Sequence, residues 1–283
     1  MKVLAGTKML TRLILVLTIG CVMGFPGCVD KSEKLTIEVF KKRGKLVVLT
    51  EPFFVPYEYY GDGSEIVGVD MEIAQLIANK LGVKLDRQKR SFDGLFSALS
   101  ANDGDIVMAG ITLDERSEGK FPHSEPYADA CQRIVVSNDC DDIGEFKDLA
   151  GKKVGVPIAT SSATYMQKAL EEDKDGSFKD TPPTVEQFEN NFMLIKALSN
   201  KHVDAVLLDS DTAEIYAQKD PNLKVLSGLI GKEEYVFLYA KNMSDEVISL
   251  INKIITEIKA DGRLEEFRAK HRLANAGGNN KGE

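Results

Sequence analysis

Histidine is scarce: His123, His202 and His271 are the only three in 283 residues and stand far apart, and the four cysteines include no Cys-x-x-Cys pair. A zinc site needs three or four such ligands, most of them at short spacings, so no metal is expected. No nucleophile triad is visible, and the glycine-rich stretches lack the Lys-Ser/Thr ending of a phosphate-binding loop. Positive charge is in deficit too. The formal net charge is −8 and the pI about 5.2, which argues against a nucleic-acid partner, because phosphate backbones demand a net basic face. Low-complexity tracts are missing, and beyond the N-terminal region so is any uncharged apolar run of 18 residues, so the remainder is expected to be soluble. No cofactor is expected. An ordinary composition, 43% hydrophobic and 28% charged, fits a chain long enough for one large domain or two smaller ones.

What is present begins with an export signal. Lys2, Lys8 and Arg12 precede the uncharged apolar run Leu13 to Gly20, which is too short for a spanning helix. Residues 1–27 are read as a signal peptide, with an uncleaved anchor as the other reading. Cys21 and Cys28 each follow a glycine, the small residue that lipoprotein cleavage requires. A polar stretch, Val29 to Lys34, follows Cys28, whereas the chain after Cys21 is still greasy. Lipidation is therefore assigned to Cys28, residues 28–44 to a tether and lead-in; ordinary cleavage without lipid is the alternative. An exported chain meets conditions that permit disulfides, and Cys131 and Cys140 are read either as a bridged pair or as two buried free thiols.

Along the body, strands and helices alternate. Lys45 to Thr50 is a β-branched apolar run and predicts a buried strand. Val69 to Leu81 carries apolar residues at helical spacing, with Gly82 as a stop. Strands are expected at 83–85 and 105–108, with a helix over 92–99 between them. The rhythm restarts at Lys152 to Val156 and continues with helices at 161–170, 193–198 and 211–218, and strands at 203–208 and 235–239. Residues 247–267 predict one or two helices broken near Gly262, ahead of a polar tail assigned to 275–283. Such alternation predicts an α/β fold with mostly parallel sheet flanked by helices, in two units.

Several segments together resemble a known family, the bacterial extracellular solute-binding proteins of the polar amino-acid transporter class. Gly68-Val69-Asp70-Met71-Glu72-Ile73-Ala74 is similar to its Gly-aromatic-Asp signature, with Val69 in the aromatic place. Val48 to Glu51, Val55 to Glu58, Phe92 to Leu95, Asp105 to Thr112, Leu149 to Val156, Val203 to Asp209 and Lys259 to Leu264 follow in family order. The resemblance spans about Lys45 to His271. It implies a type II periplasmic binding fold, the two-lobe Venus flytrap, with lobe 1 at 45–136 plus 234–274, lobe 2 at 137–233, and crossovers near Val136–Ser137 and Glu233–Glu234.

The resemblance also implies a ligand site for an amino acid, polar or cationic. Arg116 is the candidate for the ligand carboxylate, since a guanidinium matches it in a planar fork. Compared with the family, Arg116 sits one residue early after Thr112, which would add a hydroxyl and a backbone N–H. Ala109 and Gly110 precede it, the Gly110 carbonyl as an acceptor for the ammonium. Thr160 and Ser161 open a helix whose N-terminus attracts an anion; as a plain cap they would serve the same turn. Asp209 is the candidate for the ammonium, helix capping being its other reading. Phe54 and Phe92 would stack on the ligand side chain, with core packing as the alternative, and Glu51 would face its distal group. Pro157 and Leu208 stand where some glutamine-binding relatives are polar, so the specificity signal is mixed. The implied partners are the amino acid, the permease of an ABC transporter and, through the lipid, a membrane; the protein is expected to be a monomer and no enzyme. The alternatives are a lyase similar to cyclohexadienyl dehydratase, using Glu51 or Asp209 as acid or base, and a ligand-sensing input module.

Overall fold

The computed structural model describes residues 33–114, 116–173 and 176–277. The export signal, Cys28 and residues 278–283 lie outside the described residues. In chain order the elements are helix α1 (Ile37–Arg43), strand β1 (Lys45–Thr50), the short strands β2 (Phe53–Phe54), β3 (Glu58–Tyr60) and β4 (Ile66–Val67), helix α2 (Val69–Leu81), β5 (Lys84–Lys89), α3 (Leu95–Ser100), β6 (Ile106–Ile111) and β7 (Ala128–Ser137). There follow β8 (Lys153–Pro157), α4 (Ser161–Glu172), β9 (Thr184–Phe188), α5 (Asn191–Ser199), β10 (Ala205–Asp209), α6 (Ser210–Lys219), β11 (Leu223–Val225), β12 (Ile230–Tyr239), α7 (Asp245–Ala260) and α8 (Arg263–Gly277).

One sheet runs β5-β1-β6-β12-β7-β10-β8-β9, with β11 beside β7. Its outer portions are parallel: β1 pairs with β5 and β6, and β8 with β9 and β10. The middle is antiparallel, because β12 pairs with both β6 and β7, and β7 with β10. The inner parallel strands β1, β6, β8 and β10 are largely apolar runs because helices cover both of their faces, whereas the outer strands β5 and β9 stay partly exposed. Val47 to Leu49 and Ile106 to Met108 are buried against α2 and α7 in one core, which also takes Ile73, Ile77, Ile251 and Ile255. Beyond β12 the sheet has a separate core on each face. One contains Leu149, Val156, Met166 and Leu207, the other Leu194, Leu198, Val206 and Ala213.

The glycine of the resemblance signature has a steric cause. Gly68 (φ +136°) rests on the Tyr57 carbonyl, where an added Cβ would lie 2.0 Å from the oxygen. That contact lets the Asp70 N–H donate to the same carbonyl (3.0 Å) and seats the first turn of α2, with Asp70 fully buried.

Four expectations are corrected. Residues 28–44 are not all lead-in: Thr36 Oγ1 accepts from the Val39 N–H (3.3 Å), Gly44 ends α1 at φ +74°, and Phe40 is fully buried. One anchoring side chain leaves no periodicity to read. At the other end α8 continues to Gly277, into the segment assigned to the tail. The crossover expected at Val136–Ser137 lies at the far end of β7: Ala128 and Ala130 belong to the first core and pair with β12, whereas Ile134 to Val136 already pack in the other two and pair with β10. Finally, Cys131 and Cys140 are free thiols and partly exposed, neither bridged nor buried. Six residues of strand separate Cys131 from the end of β7, a span of about 20 Å at the usual rise, far beyond disulfide reach. Cys140 Sγ instead donates to Asp142 Oδ1 (3.3 Å).

Candidate ligand-binding cleft

Parallel strands end where the backbone of the next turn is free to meet a ligand, and both parallel portions end at one cleft. All ten residues named from the sequence line it: Glu51, Phe54, Phe92, Ala109, Gly110, Thr112, Arg116, Thr160, Ser161 and Asp209. The first seven come from the half built on β1 and β6, the last three from the half built on β8 and β10.

Arg116 reaches the cleft despite its early position. Asp114 forms a tight turn in which its Oδ1 accepts from the Arg116 N–H (2.8 Å) and its carbonyl from the Ser117 N–H (3.0 Å). The guanidinium lies over Phe96 at 4.6 Å and over Phe92 at 6.0 Å, and its Nε donates to Asp114 Oδ2 (2.7 Å). Phe92 thus forms, with Phe96, a shelf under the cation. Phe54 is buried, stacked on Tyr57 at 5.2 Å and edge-on to Tyr235 at 5.9 Å. Gly110 (φ +54°) allows that ring to cross the end of β6, since a Cβ there would lie 2.2 Å from Phe54 Cε1.

On the opposite wall, Thr160 precedes α4 but does not cap it. Its hydroxyl donates back to the Pro157 carbonyl (2.8 Å), and no side chain caps the helix. The first amides of α4 have no intrahelical partner and carry the positive end of the helix dipole toward the cleft. Ser161 Oγ accepts from Gln132 Nε2 (3.3 Å).

Asp209, half-buried at the end of β10, does not cap α6 either. Its Oδ1 accepts from Gln132 Nε2 (3.1 Å) and from the Tyr235 hydroxyl. Loss of water pushes its carboxyl up to about 6; the Tyr235 and Gln132 donors pull the other way, and Glu233 adds to the rise. Glu51 is buried at the end of β1 and pushed up to about 7, by burial first, with the Phe53 N–H and Lys89 opposing and Glu189 reinforcing the shift. Behind Gly110 lies a second acidic pair. Burial, then its neighbour Asp70, raises Glu58, and burial raises Asp70 to about 7.

Several lining residues escaped the sequence reading: Phe96, Ile158, Glu189, Asn190 and Asn191. Asn190 accepts from the Met193 N–H (3.0 Å) as the cap of α5, and an Asn ahead of an apolar helix was a legible signal. Gln132 and Tyr235 were missed as well, one in a strand not foreseen, the other inside an apolar run.

The family model for bacterial extracellular solute-binding proteins, family 3, matches residues 46–274. The chain belongs to that family. Among its relatives, the L-cystine-binding protein TcyJ of Escherichia coli (strain K12) is 24% identical over 231 residues, 81% of this chain and 83% of TcyJ. An ancestral arginine-binding protein bound to arginine is 34% identical with a TM-score of 0.72, covering 81% of this chain and 98% of that one. The ancestral amino acid-binding protein AncCDT-1, a precursor of cyclohexadienyl dehydratase, is 28% identical with a TM-score of 0.73, covering 83% and 99%. Membership brings the type II periplasmic binding fold and an amino-acid-binding, extracellular class. Among the described residues no helix is long and apolar enough to cross a membrane.

Proposed function

We propose that this protein captures a cationic amino acid, arginine or a close analogue, between its two halves and delivers it to the permease of an ABC transporter. In this reading Cys28 carries the lipid that holds the protein at the outer face of the cytoplasmic membrane. The observation that carries it is the division of charge within one cleft. Arg116, Thr112 and the uncapped start of α4 gather positive character for a carboxylate. Asp209, whose side-chain donors Gln132 and Tyr235 are neutral, suits an ammonium. Glu51 and Glu189 bring negative charge to the region left for the ligand's side chain. The likeness to an arginine-bound relative supports the same class. Both halves contribute contacts, so binding would favour the closed arrangement, with β7 and β12 as the hinge strands and the division falling near 130–134 and 230–235. Calorimetric titration with the twenty amino acids tests this: arginine, lysine or histidine should bind at micromolar concentration or below, and silence across the panel overturns it.

A second reading rests on Glu51. A cleft carboxyl pushed up to about 7 is poised for general acid–base work, and AncCDT-1 is a precursor of a lyase. Turnover of prephenate or arogenate would establish that reading.

A further inference from the structure

Asp209 is faced by three side chains from the two crossover strands: Gln132 of β7, and Glu233 and Tyr235 of β12. Gln132 is 2% exposed and stands directly opposite Asp209 in the β7–β10 ladder. Its single amide bonds to Asp209, Ser161 and Ser162, and Glu233 draws on it as well. Nε2 donates to Asp209 Oδ1 (3.1 Å) and to Ser161 Oγ (3.3 Å), while Oε1 accepts from Ser162 Oγ (2.5 Å). Ser161 and Ser162 are the first two residues of α4. One rigid planar group therefore ties the anion-attracting end of α4 to the carboxylate at the end of β10. Tyr235 donates to the same Oδ1 from the other crossover strand, and its ring is wedged edge-on against Tyr57 (5.1 Å) and Phe54 (5.9 Å) of the opposite half.

From this arrangement we infer that Gln132 and Tyr235 are positioning residues that set the spacing between the carboxylate and ammonium subsites, and so select α-amino acids over ligands lacking an amine at that distance. The inference rests on the proposed binding of an amino acid at Asp209. Gln132 fixes the distance within one half of the protein. Tyr235 fixes the direction in which Asp209 Oδ2 points, because Oδ1 is already engaged, and links that direction to the first half. An amine shifted by one methylene would meet a carboxylate that has no freedom to follow it. Neither residue is required to touch the ligand.

The test compares L-arginine, its β-homologue and 5-guanidinopentanoate, which lacks the amine, on the full mature chain. Wild type should prefer L-arginine over both by at least about a hundredfold, the worth of a charge-assisted contact left unmade. Tyr235→Phe removes one hydroxyl and keeps the ring; Gln132→Leu removes the amide's bonds at similar volume. Each should weaken L-arginine about ten- to a hundredfold while changing 5-guanidinopentanoate less than threefold, and Gln132→Leu should narrow the gap between arginine and its β-homologue. In Tyr235→Phe the pH below which arginine affinity falls should move upward, a change that general loosening would not produce. Equal losses for all three ligands, or unchanged selectivity in both variants with wild-type melting curves, overturn the inference while leaving amino-acid binding intact. If wild type binds neither arginine nor any other amino acid of the panel, the proposed function fails and the inference with it.

Discussion

Asp209 and Asp211 are two residues apart and have opposite surroundings. Asp209 ends β10 among neutral donors and is pushed up to about 6. Asp211 opens α6 on the side turned toward α8, where Arg268 Nη2 (2.9 Å), Arg272 and the Tyr57 hydroxyl (2.9 Å) all bond to it. Burial acts to raise Asp211 as well, but the two guanidiniums outweigh it and its pKa is lowered. A buried carboxylate supplied with cations by the protein is a structural tie between α6 and α8. One supplied only with neutral donors has room for a cation from outside. On the proposed reading, the same turn of chain thus separates holding the fold from receiving a ligand.

Substitutions that remove the charge from each position should break this comparison in opposite ways. Asp209→Asn should lower amino-acid affinity by about a hundred- to a thousandfold, since a desolvated charge pair is lost, with stability unchanged or higher because a buried charge is gone. Calorimetry and thermal melts read the two quantities separately. Asp211→Asn should do the reverse. Leaving Arg268 and Arg272 without their carboxylate should cost about 2 kcal/mol, less than a fully buried pair because Arg272 is partly solvated. Urea unfolding checks that figure, and arginine affinity under folded conditions should change less than threefold.

A smaller effect follows from pH. Asp209 and Glu51 gain charge as pH rises through about 6 and about 7, so affinity for L-arginine should climb about tenfold or more from pH 5 to 8 and then level off. Both carboxyls bind protons more tightly folded than unfolded, so their contribution to the ligand-free protein's stability declines as pH rises from the ordinary carboxyl range toward 7. Asp211 runs the other way: its contribution is present above the ordinary Asp value and is lost as pH falls through its lowered one. Titrations at several pH values with and without arginine separate the two trends, and a flat affinity profile would contradict the assignment of Asp209 and Glu51 to the ligand.

Local composition told most about the buried parallel portions. Lys45–Thr50 and Val69–Leu81 have the bounds expected of them, because a strand or helix with an unbroken apolar signal needs no tertiary information to be recognised. β7 was illegible for the opposite reason. Its inward positions include Ala128, Ala130 and the polar Gln132, and its outward ones Asp129, Cys131 and Arg133, so the period-two pattern carries little contrast. β9 is half-exposed throughout and gives no apolar run. In the cleft, residues at strand ends and helix starts were accessible to reasoning about chain segments. Gln132 and Tyr235 were not, since their importance lies in partners 77 and 26 residues away in the chain. Phe96 became visible only through Arg116, which rests on it.

The ladder between β7 and β12 has a mechanical meaning. Two strands crossing from one half to the other side by side, hydrogen-bonded to each other, form a narrow ribbon. Such a ribbon flexes and twists readily because few bonds resist a change of its plane, yet it hardly stretches and cannot shear without breaking the ladder. In the clamp proposed above, the halves would therefore swing rather than slide. Each opening would return Asp209 and Arg116 to the same track, and the search for the bound geometry would reduce to one angle.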